Sequence, residues 1–165
     1  MNSDENTAEP LELEAVFGYA SDRGLRRELN EDSLIAADPV FAVADGMGGH
    51  EAGEIASSIC VRTLGDSRLV GEHLPEVPAA EIEELLAKAD RQIREATGGR
   101  AGTTLTGAVL VQEESRPYWL VFNVGDSRTY RLSNGALEQI TVDHSEVQEL
   151  VDLGQITPDE ALVHP

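Results

Sequence analysis

Three acidic groups in this chain have the type and placement to hold a hard cation. Glu31-Asp32 follows Asn30, Asp45 precedes Gly46, and Asp126 follows Gly125, each beside an apolar run that reads as a strand. Carboxylate oxygens at strand ends are what an oxygen-liganded ion such as Mg²⁺ or Mn²⁺ requires. Gly46, lacking Cβ, would let a backbone carbonyl reach the ion bound by Asp45. With 31 acidic residues in the chain, turn formation and helix capping compete with ligation for these same carboxylates. Arg27, four residues before Glu31, carries the planar fork that holds phosphate oxygens in pairs. An exposed ion pair with Glu28 or Glu31 is its ordinary alternative.

Other chemistries fit less well. The glycines of Gly46-Met47-Gly48-Gly49 follow a strand and open a helix, but Glu51 stands where a dinucleotide fingerprint needs its third glycine. No Gly-Lys-Ser/Thr exists for an ATPase-type phosphate loop. A tight turn bringing backbone close to a metal explains the glycines better. His144 adjoins Ser145, yet adjacency does not make a nucleophile pair, because such triads assemble from distant segments. His50, His73 and His164 are too scattered for a zinc site. Cys60 is the single cysteine, lies in an apolar stretch and reads as a core thiol in a reducing compartment.

The elements that must position these residues follow from pattern. Leu13, Ala15, Phe17 and Tyr19 alternate with polar positions and predict a half-buried strand. Ser33–Ala36 and Val40–Ala44 predict two adjacent strands around the turn signal Asp38-Pro39. Residues 51–64 and 79–96 predict helices. The second is the clearer, with Ile82, Leu85, Leu86, Ala89, Ile93 and Ala96 at three- and four-residue steps. Gly98-Gly99 ends it. Thr103–Val111 predicts a β-branched strand, and Pro117–Val124 one long enough to be buried on both faces. Ser133-Asn134-Gly135 predicts a hairpin between Thr129–Leu132 and Leu137–Thr141. Ser145–Leu153 predicts a last helix capped by Gly154. Strands, two helices, then strands joined by hairpins argue for an α+β fold built on antiparallel sheets.

Composition bounds the rest. The chain has 165 residues, 41% of them hydrophobic, which suits one globular domain with a core. Residues 1–10 have the composition of a disordered acidic tail. A formal charge of −19, from 12 basic and 31 acidic residues, excludes a nucleic-acid binder held by a basic footprint. An anionic substrate would need local capture by a metal ion or an arginine, because the global field opposes its approach. No run of 18 apolar residues occurs and the N-terminus is acidic, so the visible chain reads as soluble and cytoplasmic, with no membrane anchor in view.

Five motifs occur in order along the chain: Ser21-Asp22-Arg23-Gly24 with Arg27-x-x-Asn30-Glu31-Asp32; Val43-Ala44-Asp45-Gly46-Met47-Gly48-Gly49-His50; Gly102-Thr103-Thr104; Asn123-Val124-Gly125-Asp126-Ser127-Arg128; and Thr141-x-Asp143-His144-Ser145. Together they resemble the metal-dependent type 2C protein serine/threonine phosphatases in their bacterial form, from about Val16 to Pro165. Val147-x-x-Leu150-Val151-x-x-Gly154-x-Ile156-Thr157, with Glu160-Ala161 and His164-Pro165, is similar to the bacterial flap and the segment after it.

The resemblance implies an α-β-β-α sandwich of two antiparallel sheets flanked by helices, with a binuclear Mn²⁺/Mg²⁺ site at one edge. Asp45 would bridge both metals, the Gly46 carbonyl would bind one, and Glu31 and Asp32 would act through water. Asp126 matches the position of a third, weaker metal, and Arg27 the phosphate-binding arginine. The implied activity is hydrolysis of phosphoserine and phosphothreonine by metal-activated water, in a monomer that reverses bacterial serine/threonine kinase signalling. The histidine proposed as general acid in animal members aligns with Met47, so that role does not pass to His50.

Two further acidic motifs of the family would lie beyond Pro165. The resemblance therefore predicts a domain over residues 11–165 that is incomplete at its C-terminus, equivalent to the N-terminal two-thirds, poorly stable alone and weak in metal binding. The alternative is a truncated, catalytically inactive phosphatase-fold module that regulates or binds phosphoproteins.

Overall fold

The computed structural model describes residues 13–48, 51–72 and 74–161. The expected tail over residues 1–10 and the histidines at 50, 73 and 164 lie outside them, as does Gly49. Antiparallel sheets flanked by helices make up the fold. Strands β1 (Asp32–Ala37), β2 (Val40–Gly48), β4 (Leu105–Glu113) and β5 (Arg116–Val124) form one sheet in that order, and β3 (Ala101–Thr103) also pairs with β2. A separate hairpin joins β6 (Tyr130–Ser133) to β7 (Ala136–Gln139), the part of a second sheet seen among the described residues. Asn134 at φ 50° and Gly135 at φ 80° supply the left-handed pair that such a two-residue turn needs.

Helices α1 (Ala52–Gly65) and α2 (Ala79–Thr97) cover one face of the five-stranded sheet. Alternation along β2 puts Val40, Ala42 and Ala44 beneath them, with Leu105, Val109 and Val111 of β4 beside these. From α1 come Ala56, Ile59, Cys60 and Leu64, and from α2 Ile82, Ala89 and Ile93. Leu64 and Leu69 are fully buried, each removing enough apolar area from water to contribute about 2 kcal/mol. The close of α2 follows from Gly98, whose φ of 62° lets its amide donate to the Arg94 carbonyl. The short helices α3 (Glu146–Asp152) and α4 (Pro158–Ala161) follow the hairpin, and Ser145 caps α3 by accepting from the Gln148 amide at 3.2 Å.

Three expectations need correction. Leu13–Tyr19 forms no strand: the segment runs without a ladder partner, and Phe17 instead packs edge-on against Phe41 at 5.0 Å. Alternating polarity marks a surface, and here the surface touched is a ring. The strand expected over Thr103–Val111 is interrupted at Thr104, although β3 and β4 keep one register against β2, Gly46 facing Thr103 and Val43 facing Thr106. The Asp45 amide donates to Thr104 Oγ1 (3.2 Å), so the Thr104 side chain stands in for a ladder carbonyl. Finally, β5 is not buried on both faces, since Tyr118, Trp119 and Val124 are about half exposed.

Candidate metal and phosphate site

The β1–β2 register sets Asp32 directly opposite Asp45 at the end of the ladder. Both side chains leave the helix-covered face, because the residue after each on its own strand points toward the helices. Asp45 is held above the ordinary carboxyl pKa by burial first, then by the charge and hydrogen bond of Asp32 and the charge of Asp126, with Arg27 pulling the other way. Four of the six residues singled out from sequence, Arg27, Asp32, Asp45 and Asp126, thus act on one point.

Glu31 approaches from the helix side. Its carbonyl accepts from the Gly46 amide (3.2 Å) and from the hydroxyl of fully buried Ser57 (2.6 Å), which docks the start of β1 on α1. Its Oε1 is buried and has no hydrogen-bond partner among the described residues. A Cβ on Gly53 would lie 2.5 Å from that oxygen, and a Cβ on Gly46 would collide with the Gly53 carbonyl. Both glycines are therefore required by close approach of helix and strand. Arg27, Glu28, Leu29, Glu31, Gly48 and Glu51 line a groove of about 530 Å³ beside this point.

Asp126 follows Gly125, whose φ of 92° only glycine adopts readily and whose Cβ would strike Thr104. Thr104 ties the two acidic segments together: its amide donates to the Asp45 carbonyl (2.9 Å), and its hydroxyl meets that of Ser127 at 2.7 Å. Thr103 adds a hydroxyl donated to the same Asp45 carbonyl (2.9 Å). Sequence reasoning missed Ser57, Ser127 and the structural role of Thr103 and Thr104. These are contacts between segments: Thr103, Thr104 and Ser127 had only the local signal of hydroxyl residues inside motifs, and Ser57, outside every motif, had none.

The residues present suit a divalent cation. Two carboxyls set opposite one another on paired strands, a third adding its charge, and a buried carboxylate oxygen without a donor all gain from a positive charge at this edge. Among the described residues, no three His, Cys, Asp or Glu side chains are grouped closely enough to enclose one ion unaided. Cys60 is buried with its thiol pushed up to about 11 by desolvation, the behaviour of a core residue rather than a nucleophile.

Fold and site together define an α+β domain with an acidic strand-end centre and an arginine at its rim. The profile of the Protein phosphatase 2C family matches residues 26–158, and the chain belongs to that family. It is 41% identical over 164 residues to the serine/threonine protein phosphatase PstP of Mycobacterium tuberculosis, an alignment covering 91% of this chain and 29% of that protein. With the serine/threonine phosphatase stp of Listeria monocytogenes it shares 38% identity over 161 residues, covering 89% and 62%. The catalytic domain of PstP, solved in complex with two manganese ions, superposes with a TM-score of 0.69 at 39% identity, covering 86% of this chain and 61% of that one. The chain thus spans less than two thirds of the length of each relative. No helix among the described residues is long and apolar enough to cross a membrane.

Proposed function

We propose that this chain, as a domain over residues 11–165, carries the phosphate-binding arginine and the first metal-binding carboxylates of a protein phosphatase that hydrolyses phosphoserine and phosphothreonine. The observation that carries the reading is the convergence of Asp32, Asp45, Asp126 and Arg27 at one end of the sheet. The relatives named as serine/threonine phosphatases, and the manganese pair in PstP, support it.

In this reading Asp45 and the Gly46 carbonyl hold Mn²⁺ or Mg²⁺ directly, Glu31 and Asp32 act through water, and Asp126 serves a third, weaker position. Bound there, two ions supply Lewis acidity and lower the pKa of water toward neutrality. Arg27 binds the non-bridging phosphate oxygens in a fork and orients phosphorus for in-line attack. It is also the local attraction that a chain of charge −19 needs if a phosphorylated segment is to approach. Asp45 orients rather than attacks, and no side chain is required as nucleophile. The substrates are phosphoproteins of a bacterial serine/threonine kinase system, met by a monomer in the cytoplasm.

The test is Mn²⁺-dependent hydrolysis of p-nitrophenyl phosphate and of a phosphothreonine peptide by the 165-residue chain, by Asp45→Asn and Arg27→Ala variants, and by a longer chain carrying the two further acidic motifs. Turnover that needs Mn²⁺ and falls by at least about 100-fold in Asp45→Asn supports the reading. Turnover unchanged in Asp45→Asn would sink it.

The grouping of the described carboxylates, too loose to enclose an ion unaided, favours a second reading: a phosphoprotein-binding module that uses Arg27 without turnover. Phosphopeptide binding that is lost in Arg27→Ala and indifferent to Mn²⁺, with no hydrolysis by either chain, would select it.

A further inference from the structure

The segment that carries Asp126 is fastened to the base of α3 by a set of contacts with no place in the chemistry above. Arg128 Nε donates to both oxygens of Asp143, at 2.9 and 3.0 Å, and Arg128 Nη2 donates to Oδ2 at 2.6 Å. Asp143 is 8% exposed, although it lies between exposed Val142 and exposed His144. Gln139 Nε2 donates to Asp143 Oδ1 (3.2 Å) and to the Thr141 carbonyl (2.9 Å), so the carboxylate's acceptors are taken up. The next amide, of His144, donates to the Gly125 carbonyl at 2.8 Å. Asn123 Nδ2 donates to the carbonyls of Gly125 (3.0 Å) and Val142 (3.3 Å). Two residues past Asp143, Ser145 caps α3. Of the other ion pairs among the described residues, Arg94 with Asp90 and Arg131 with Glu138 join neighbours of one helix or one hairpin, and Arg68 with Glu72 and Glu81 ties the α1–α2 connection to α2, away from the acidic segments. Arg128–Asp143 alone among them bridges the acidic loop to the segment that begins the flap.

We propose that Asp143, through Arg128 and the Gly125 carbonyl, is a positioning residue that sets Asp126 against Asp45, so that the flap base and the acidic centre move as one unit. This rests on the metal reading of the site above. A bidentate charge-assisted pair fixes both distance and plane, which a single hydrogen bond does not. Its far anchor is the Thr104 hydroxyl, which holds Ser127 while the Thr104 amide holds Asp45. Asp126 is thus braced on both sides, by Thr104–Ser127 toward Asp45 and by Arg128–Asp143 toward α3. Partners of this kind typically change metal affinity by 10–100-fold without touching the ion.

The experiment titrates Mn²⁺ into the 165-residue chain, following loss of the free-ion electron paramagnetic resonance signal, for wild type, Asp45→Asn, Asp126→Asn, Asp143→Asn, Arg128→Lys and the Asp126→Asn/Asp143→Asn double variant. Asp143→Asn is expected to weaken Mn²⁺ binding about tenfold. Arg128→Lys should lose less, because charge is kept and only the fork is lost. The double variant should bind no worse than Asp126→Asn alone, because Asp143 acts through Asp126. Amide hydrogen exchange at His144 should speed up in Asp143→Asn while exchange in β2 and β4 stays at the wild-type rate, which separates repositioning from general unfolding. Affinity retained in Asp143→Asn but lost in Asp45→Asn overturns the positioning role and leaves the metal reading standing. Additive losses in the double variant also overturn it. Affinity unchanged in Asp45→Asn overturns the metal reading and the positioning role with it.

Discussion

The two faces of the five-stranded sheet are made by alternate residues of the same strands, yet they lead different lives. Toward the helices, Val40, Ala44 and Val109 are completely buried. On the opposite face Val43 is 46% and Trp119 51% exposed, with Phe17 laid across Phe41 and Phe41 edge-on to Trp119 at 5.8 Å. The first face holds the fold together. The second bears the acidic pair at one end, where Asp32 and Asp45 continue the outward alternation of Leu34 and Val43. Stability and chemistry are thus separated by a single step along a strand.

The same substitution on the two faces measures that separation. Val109→Ala leaves a cavity in the buried core and should cost about 3 kcal/mol in urea unfolding. A loss below about 1 kcal/mol would mean that Val109 is not part of a closed core. Gly46→Ala, also on the helix side, forces a methyl into the Gly53 carbonyl and should cost about 2 kcal/mol together with most Mn²⁺ binding. If stability falls while Mn²⁺ affinity holds, the Gly46 backbone is not part of the cation site.

On the outward face the expected effect turns on pH. Because the Asp45 carboxyl is raised in the folded chain, that state keeps its proton where the unfolded chain has already lost it. This contribution is fully present below the ordinary value of 3.8 and is lost as pH rises through the raised folded value, so the metal-free chain weakens over that window. Asp45→Asn should flatten this part of the profile in thermal melts across pH 3–7, and a profile unchanged by the substitution would contradict the crowding of Asp32 and Asp45. Val43→Ala should be the smallest effect, within about 0.5 kcal/mol, because that side chain already meets water.

Much of this architecture was readable from the chain. Asp38-Pro39 between two apolar runs, the helical spacing from Ile82 to Ala96 and the Asn134-Gly135 turn each encode a local event within a few residues, and each stands where expected. Arg27, Asp32, Asp45 and Asp126 were picked out by residue type at predicted strand ends and turns, and strand ends in one sheet bring such residues toward one edge. What could not be read depends on a partner. Alternation over Leu13–Tyr19 says that one side is apolar but not whether a strand lies alongside. The continuous apolar run of β5 says nothing of whether its far face is covered. Arg128 and Asp143 are 15 residues apart, and Thr104 and Ser127 23 apart; no spacing rule links such pairs until the hairpin between them has folded.

The pairing of Asp32 with Asp45 also works as a vernier. Sliding β1 by one residue would bring Ser33 opposite Asp45, and Asp32 would turn toward the apolar side of the sheet. The carboxylate pair is therefore available in a single strand alignment, the one in which Ser33 and Ile35 of β1 also face the helices. A chain that loses this alignment loses its facing carboxyls in the same step.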